Sequence, residues 1–117
     1  MNEGPVYKKS FDFALKIIAL YQKLVSEKEF VISKQLLRSG TSIGANVNEA
    51  SAGQSKKDFI SKMAIASKEA RETLYWLKIL KESKITSVHL TDYILLNEEL
   101  VRILTAIVKT SQAGLEN

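Results

Sequence analysis

LLRSGTSIGANVNEASAG, residues 36–53, is the stretch on which the fold turns. It is poor in large apolar residues and rich in Ser, Gly, Ala and Asn, with one acid at Glu49. Leu36, Leu37, Ile43 and Val47 nevertheless recur at helix-like intervals, which a surface loop has no reason to keep. Gly40 and Gly44 each cost a helix interior on the order of 0.5–1 kcal/mol relative to Ala. A helix that tolerates both must lie very close to its neighbours. The stretch therefore predicts a continuous helix, although a break would fall near 39–41, with a few polar side chains turned inward.

Working outward, the second helix begins at about Phe30 and runs to 52, with Val31, Leu36, Leu37, Ile43, Val47 and Ala50 on its apolar face. Gly53 reads as its stop and Ser55 as the next N-cap. Before it, Glu27-Lys28-Glu29 is a short charged connection. The first helix is expected over 10–27, with Ser10 as N-cap and Phe11, Ala14, Leu15, Ile18, Tyr21, Leu24 and Val25 facing inward. Residues 1–9 read as a loose arm broken by Gly4-Pro5.

The third helix, 56–84, has the clearest pattern. Phe59, Met63, Ala66, Ala70, Leu74, Leu77 and Leu80 step by four and three, a heptad-like seam. Ile60, Ala64, Trp76 and Ile79 lie off that seam and widen the apolar surface. Thr86 or Ser87 opens a fourth helix, 87–110, through Leu90, Tyr93, Ile94, Asn97, Leu100, Val101, Leu104, Ile107 and Val108. The last residues, SQAGLEN, read as a frayed tail. Short links make sequential helices antiparallel neighbours, so the expected fold is all-α: one domain over 1–117, an up-down-up-down antiparallel four-helix bundle.

Composition agrees. The chain has 117 residues, 45% hydrophobic and 26% charged, which fits a single core. Without cysteine it forms neither disulfides nor thiolate metal sites. No apolar run reaches the 18 or more residues of a membrane span, and no signal-peptide pattern opens the chain, so a cytoplasmic protein with no membrane partner is expected. Net charge is +4, unevenly shared. Residues 53–85 carry eight basic and four acidic side chains, net +4; residues 86–117 carry two and four, net −2. Pairing between the third and fourth helices accounts for this in structural terms. A positive strip for a polyanion accounts for it in functional ones.

Catalytic sets are missing. His89 is the sole histidine, so no His pair or His-based relay can form, and the Glu-x-x-His motifs of di-metal bundles are absent. Residues 39–44 lack the Gly-Lys-Ser/Thr ending of a phosphate-binding loop. No catalytic residue, cofactor or metal is expected, and the chain does not read as an enzyme. The polar candidates are Ser42, Asn46 and Glu49 on one stripe of the second helix, with Glu69, Arg71, Glu72 and Tyr75 on the third. Their first reading is an inward network that satisfies itself and fixes register. The other is that some face a subunit interface or ligand groove. Tyr75, Trp76 and Ile79 are the candidate oligomer interface, because adjacent aromatics cannot both enter one seam.

Two segments in order and spacing carry a family resemblance: SIGANVNEA (42–50), and, after Phe59, KEARETLYWL (68–77). Over about 11–110 the chain resembles the small bacterial four-helix-bundle proteins associated with intervening sequences in 23S ribosomal RNA genes, the S23 type. It is also similar to the accessory variability determinant of diversity-generating retroelements. The resemblance implies a bundle that assembles into a ring-like homopentamer without catalytic activity of its own. The retroelement relative is a basic, nucleic-acid-binding partner of a reverse transcriptase. This chain is only mildly basic, so that partnership is not carried over.

The leading expectation is thus a non-enzymatic oligomeric scaffold that contacts RNA or the ribosome through Lys56, Lys57, Lys62, Lys68, Lys78 and Lys81, with Lys8, Lys9, Lys16 and Lys23 in reserve. A second is a protein–protein module with no nucleic-acid binding. A distant third is a small-molecule binder or hydrolase built on Glu49, Glu69 and Glu72.

Overall fold

The computed structural model describes residues 4–116, with side chains as far as Leu115. Four helices follow one another: α1 (Pro5–Ser26), α2 (Ile32–Ala50), α3 (Lys56–Ser83) and α4 (Thr91–Glu116). Each packs on its neighbours in sequence, α4 returns to α1, and the diagonal pairs α1/α3 and α2/α4 make no close backbone approach. The result is an antiparallel four-helix bundle of 50 × 22 × 21 Å. Its core runs the length of the molecule, through Phe13, Ile17, Leu20 and Leu24 of α1, Leu36, Ile43 and Val47 of α2, Met63, Leu77 and Leu80 of α3, and Leu100 and Leu104 of α4. Each such side chain contributes roughly 1.5–3 kcal/mol by leaving water.

α2 is continuous through both glycines, as the small-residue stretch requires. A methyl group at Gly40 would lie 2.8 Å from Ile17 Cγ2, and one at Gly44 would lie 3.2 Å from the Ser10 carbonyl oxygen. Those two contacts run in opposite directions along the two chains and fix α1 and α2 as antiparallel neighbours.

Several expected boundaries move. α1 starts at Pro5, whose fixed φ suits the first helical turn, so residues 5–9 are helix rather than arm; residues 1–3 lie outside the described region. Ser10 is no cap but a buried mid-helix residue, its hydroxyl donating to the Tyr7 carbonyl at 3.2 Å. The inward face of α1 is also rotated. It is Val6, Ser10, Phe13, Ile17, Leu20 and Leu24, whereas Phe11, Leu15 and Ile18 are exposed. The sequence offers two apolar stripes, and the structure buries the one that keeps a four-three rhythm throughout. Ser10 disguises that stripe, and its backbone carbonyl lies opposite Gly44.

Phe30 and Val31 precede α2 and are exposed, because Glu29 sets the helix start. Its carboxylate accepts from the backbone N–H groups of Val31 (3.2 Å), Ile32 (3.1 Å) and Ser33 (2.6 Å). Gly53 follows the helix, without the positive φ of a glycine stop. Ser55 does cap α3, accepting from Asp58 N at 3.1 Å, and Lys84 ends that helix in the left-handed region. In α3 the buried seam includes Ile60, Ser67 and Thr73, while Phe59 and Leu74 are half-buried. α4 opens at Thr91, not at Thr86 or Ser87, because those hydroxyls donate instead to Glu27 across the bundle end. α4 also continues through 111–116, where a tail was expected; Asn117 lies outside the described region.

Two polar contacts cross the core. The hydroxyls of Ser39 and Thr73, both fully buried, are hydrogen-bonded at 2.8 Å between α2 and α3. Asn97 Nδ2 donates to the Ala70 carbonyl at 2.9 Å, leaving its buried Oδ1 without a partner. Such contacts specify how helices align more than they stabilise them.

Candidate nucleic-acid interface

α3 presents its core face through Ala66, Ala70 and Leu77. At 100° per residue, Lys57, Lys68, Arg71, Tyr75 and Lys78 then fall within one outward sector of about 80°. All five are exposed. Arg71 donates to Thr105 Oγ1 of α4 at 3.2 Å, and none of the four cations has an ion pair among the described residues. Tyr75 lies between Arg71 and Lys78, one turn from each, and Glu82 is the one acid in the sector. The acidic side chains of α4 do not neutralise this face: no ion pair joins α3 to α4 among the described residues.

The remaining candidate lysines are placed differently. Lys62 is engaged with Glu49 of α2 at 2.8 Å. Lys56 and Lys81 are exposed at the two ends of α3, Lys56 lining a cleft with Tyr7, Gln54 and Phe59, and Lys81 lying beside Lys84. Of the reserves, Lys8 pairs with Asp12 (2.9 Å) and Lys9 with Glu99 (3.2 Å), while Lys16 and Lys23 are exposed.

The seven polar candidates do not form one inward network. Asn46 Nδ2 donates to the carbonyl and hydroxyl of Ser42, within α2. Glu69 and Glu72 both receive Arg38, and the indole N–H of Trp76 donates to Glu72 at 3.0 Å. Arg71 reaches Thr105, and Tyr75 is in solvent, edge-on to Trp76 with ring centres 5.1 Å apart. Arg38 is the residue sequence reasoning missed. It stands one turn before Ser42 on the same stripe of α2, and that spacing could have found it. The carboxylates of the third functional reading do not converge either: Glu49 sits eleven residues along α2 from Arg38, roughly 16 Å. Among the described residues, no three His, Asp or Glu side chains group as a metal site, and no helix is long and apolar enough to cross a membrane.

Of the expected interface residues, Tyr75 is exposed, while Trp76 and Ile79 are half-buried, Trp76 packing against the core. Other exposed apolar groups lie elsewhere, among them Phe11 and Leu15 of α1, which the rotated helix turns outward.

A bundle of this kind, with a basic outer helix and exposed apolar stripes, is defined so far only as an all-α, four-helix protein. The family model for 23S rRNA-intervening sequence proteins matches residues 2–107, so the chain belongs to that family. A crystal structure from Bacteroides thetaiotaomicron VPI-5482, of a protein with unknown function from the S23 ribosomal protein family, is similar at 48% identity and a TM-score of 0.82. The similarity covers 89% of this chain and 98% of that one. A comparison with curated proteins finds no match.

Proposed function

We propose that this protein is a non-enzymatic scaffold that assembles from several copies and offers the outer face of α3 to the phosphates of an RNA. One observation carries the reading: Lys57, Lys68, Arg71 and Lys78 share an exposed sector in which no carboxylate among the described residues engages them. Cations held apart from acids suit a polyanion, and Tyr75 between Arg71 and Lys78 adds a flat ring on which a base can stack. Membership of a family named for 23S rRNA intervening sequences supports RNA as the polyanion. In this arrangement Tyr75 serves the RNA face, and assembly relies on the exposed apolar residues of α1. Exposed Phe11 and Leu15 also favour the second reading, a protein–protein adaptor without nucleic acid.

Fluorescence anisotropy with a labelled single-stranded RNA, titrated across salt, separates the two. Four phosphate contacts per subunit give a log–log salt slope of about −3 per subunit. The double variant Lys68→Glu/Lys78→Glu should bind at least about tenfold more weakly at low salt, by losing two charge contacts. If the wild-type protein binds no RNA even at low salt, the adaptor reading stands and the RNA reading falls.

A further inference from the structure

Tyr75 is held by more than its own place on α3. Its ring meets that of Trp76 edge-on, with 5.1 Å between centres and 69° between planes. In such a pair at most one face of the Tyr75 ring is engaged, and the residue is 57% exposed. The indole is itself fixed twice: it packs on the core, and its N–H donates to Glu72 at 3.0 Å. Glu72 in turn receives Arg38 of α2, whose guanidinium also reaches Glu69 at 3.2 Å and the Gln35 side chain at 3.1 Å. A chain of contacts thus runs from α2 through Glu72 and Trp76 to the ring of Tyr75.

Charge is divided across that ring. Toward α4, Arg71 and Lys78 stand one turn before and one turn after Tyr75, roughly 10 Å apart along the helix axis. Neither has an ion pair among the described residues. Toward α2, Arg38 is outnumbered by Glu69 and Glu72, so that edge is net negative. A strand whose phosphates follow Arg71 and Lys78 is therefore kept off the α2 edge, and its base is turned toward Tyr75.

Resting on the RNA face proposed above, we infer that Tyr75 selects an unpaired base by stacking on it. Glu72, with Arg38, is the positioning residue that holds the Trp76–Tyr75 pair for that base. The ligand class is RNA with an unpaired segment, not a continuous duplex. In an A-form duplex the bases are paired and stacked on one another, so their phosphates meet the cations while Tyr75 gains nothing. A duplex also carries about twice the charge per unit length, so cations alone favour it. Preference for a single strand is thus the mark of the ring.

Fluorescence anisotropy tests this with a labelled single-stranded RNA and a duplex of the same length, each titrated across salt. Circular dichroism confirms unchanged helicity in every variant. The wild type should bind the single strand more tightly. Tyr75→Ala should weaken single-strand binding by roughly tenfold and leave duplex affinity and both salt slopes unchanged, and Tyr75→Phe should bind as the wild type does. Glu72→Ala sets two effects against each other. Loss of a negative charge strengthens RNA binding, whereas release of the indole weakens stacking. Weaker single-strand binding is expected, with duplex binding equal or tighter, and no weakening where Tyr75→Ala is already present. A wild type that favours the duplex, or a Tyr75→Ala variant indistinguishable from it, overturns the stacking site and leaves the cationic face standing. A Glu72→Ala variant that binds the single strand more tightly overturns the positioning role. A wild type that binds neither RNA overturns the cationic face, and the stacking site with it.

Discussion

At the scale of single residues, the bundle is set by what is small. Gly40 and Gly44 let α2 rest on the Ile17 side chain and the Ser10 backbone of α1, and Ser10 itself is buried. Gly40→Ala should gain the helix propensity that Ala carries but lose more to the Ile17 clash, for a net loss of about 1–3 kcal/mol in urea unfolding. In an Ile17→Ala background the same substitution should cost markedly less, since the clashing Cγ atoms are gone. Equal cost in both backgrounds would show that the glycine serves something other than this contact. The glycines were legible in the sequence as signs of close packing. Ser10 was not, because a serine after Gly-Pro and two lysines reads naturally as a cap. That misreading rotated the whole helix and hid Phe11, Leu15 and Ile18.

At the scale of elements, four helices follow from period alone, but their ends depend on contacts between segments far apart in sequence. Glu29 accepts three backbone N–H groups and so begins α2 two residues later than the apolar pattern suggests. Glu27 accepts the hydroxyls of Ser87 and Thr86, fastening the α1–α2 connection to the α3–α4 connection. A local reading makes those hydroxyls caps of α4, and no spacing rule tells otherwise. The Ser87 hydroxyl first, then that of Thr86, hold the Glu27 carboxyl below the ordinary 4.5. A carboxylate with a lowered folded pKa stabilises above its unfolded pKa and loses that contribution as pH falls through the folded value. The difference in melting temperature between wild type and Glu27→Ala should therefore be constant above about pH 5.5 and shrink below the usual carboxylate range. A difference that grows on acidification would refute the latch. The polar candidates on α2 and α3 failed as one network for a related reason. Which stripe meets which depends on the rotation of both helices, and Arg38, absent from the expected set, takes both Glu69 and Glu72.

At the scale of the whole molecule, charge and apolar surface are segregated. α3 shows a cationic outer sector, α4 an exposed leucine beside Asp92, Glu98, Glu99 and Arg102, and α1 an apolar stripe among lysines. Of the cationic sector, Lys57, Lys68 and Lys78 were candidates in the sequence, whereas Arg71 and Tyr75 were expected in an inward network and Lys56, Lys62 and Lys81 fall on other faces of α3. The α1 stripe appeared only once the buried face was known. Trp76 also changes in meaning: it packs on the core and donates to Glu72, so removing it would weaken the monomer together with any assembly. The scaffold account is tested most directly by the mass of the wild-type particle, from light scattering with and without a labelled single-stranded RNA at low and high salt. The account predicts a discrete multiple of 13.1 kDa that gains mass with RNA at low salt and releases it at high salt. A 13.1 kDa particle that RNA leaves unchanged at every salt concentration would contradict it.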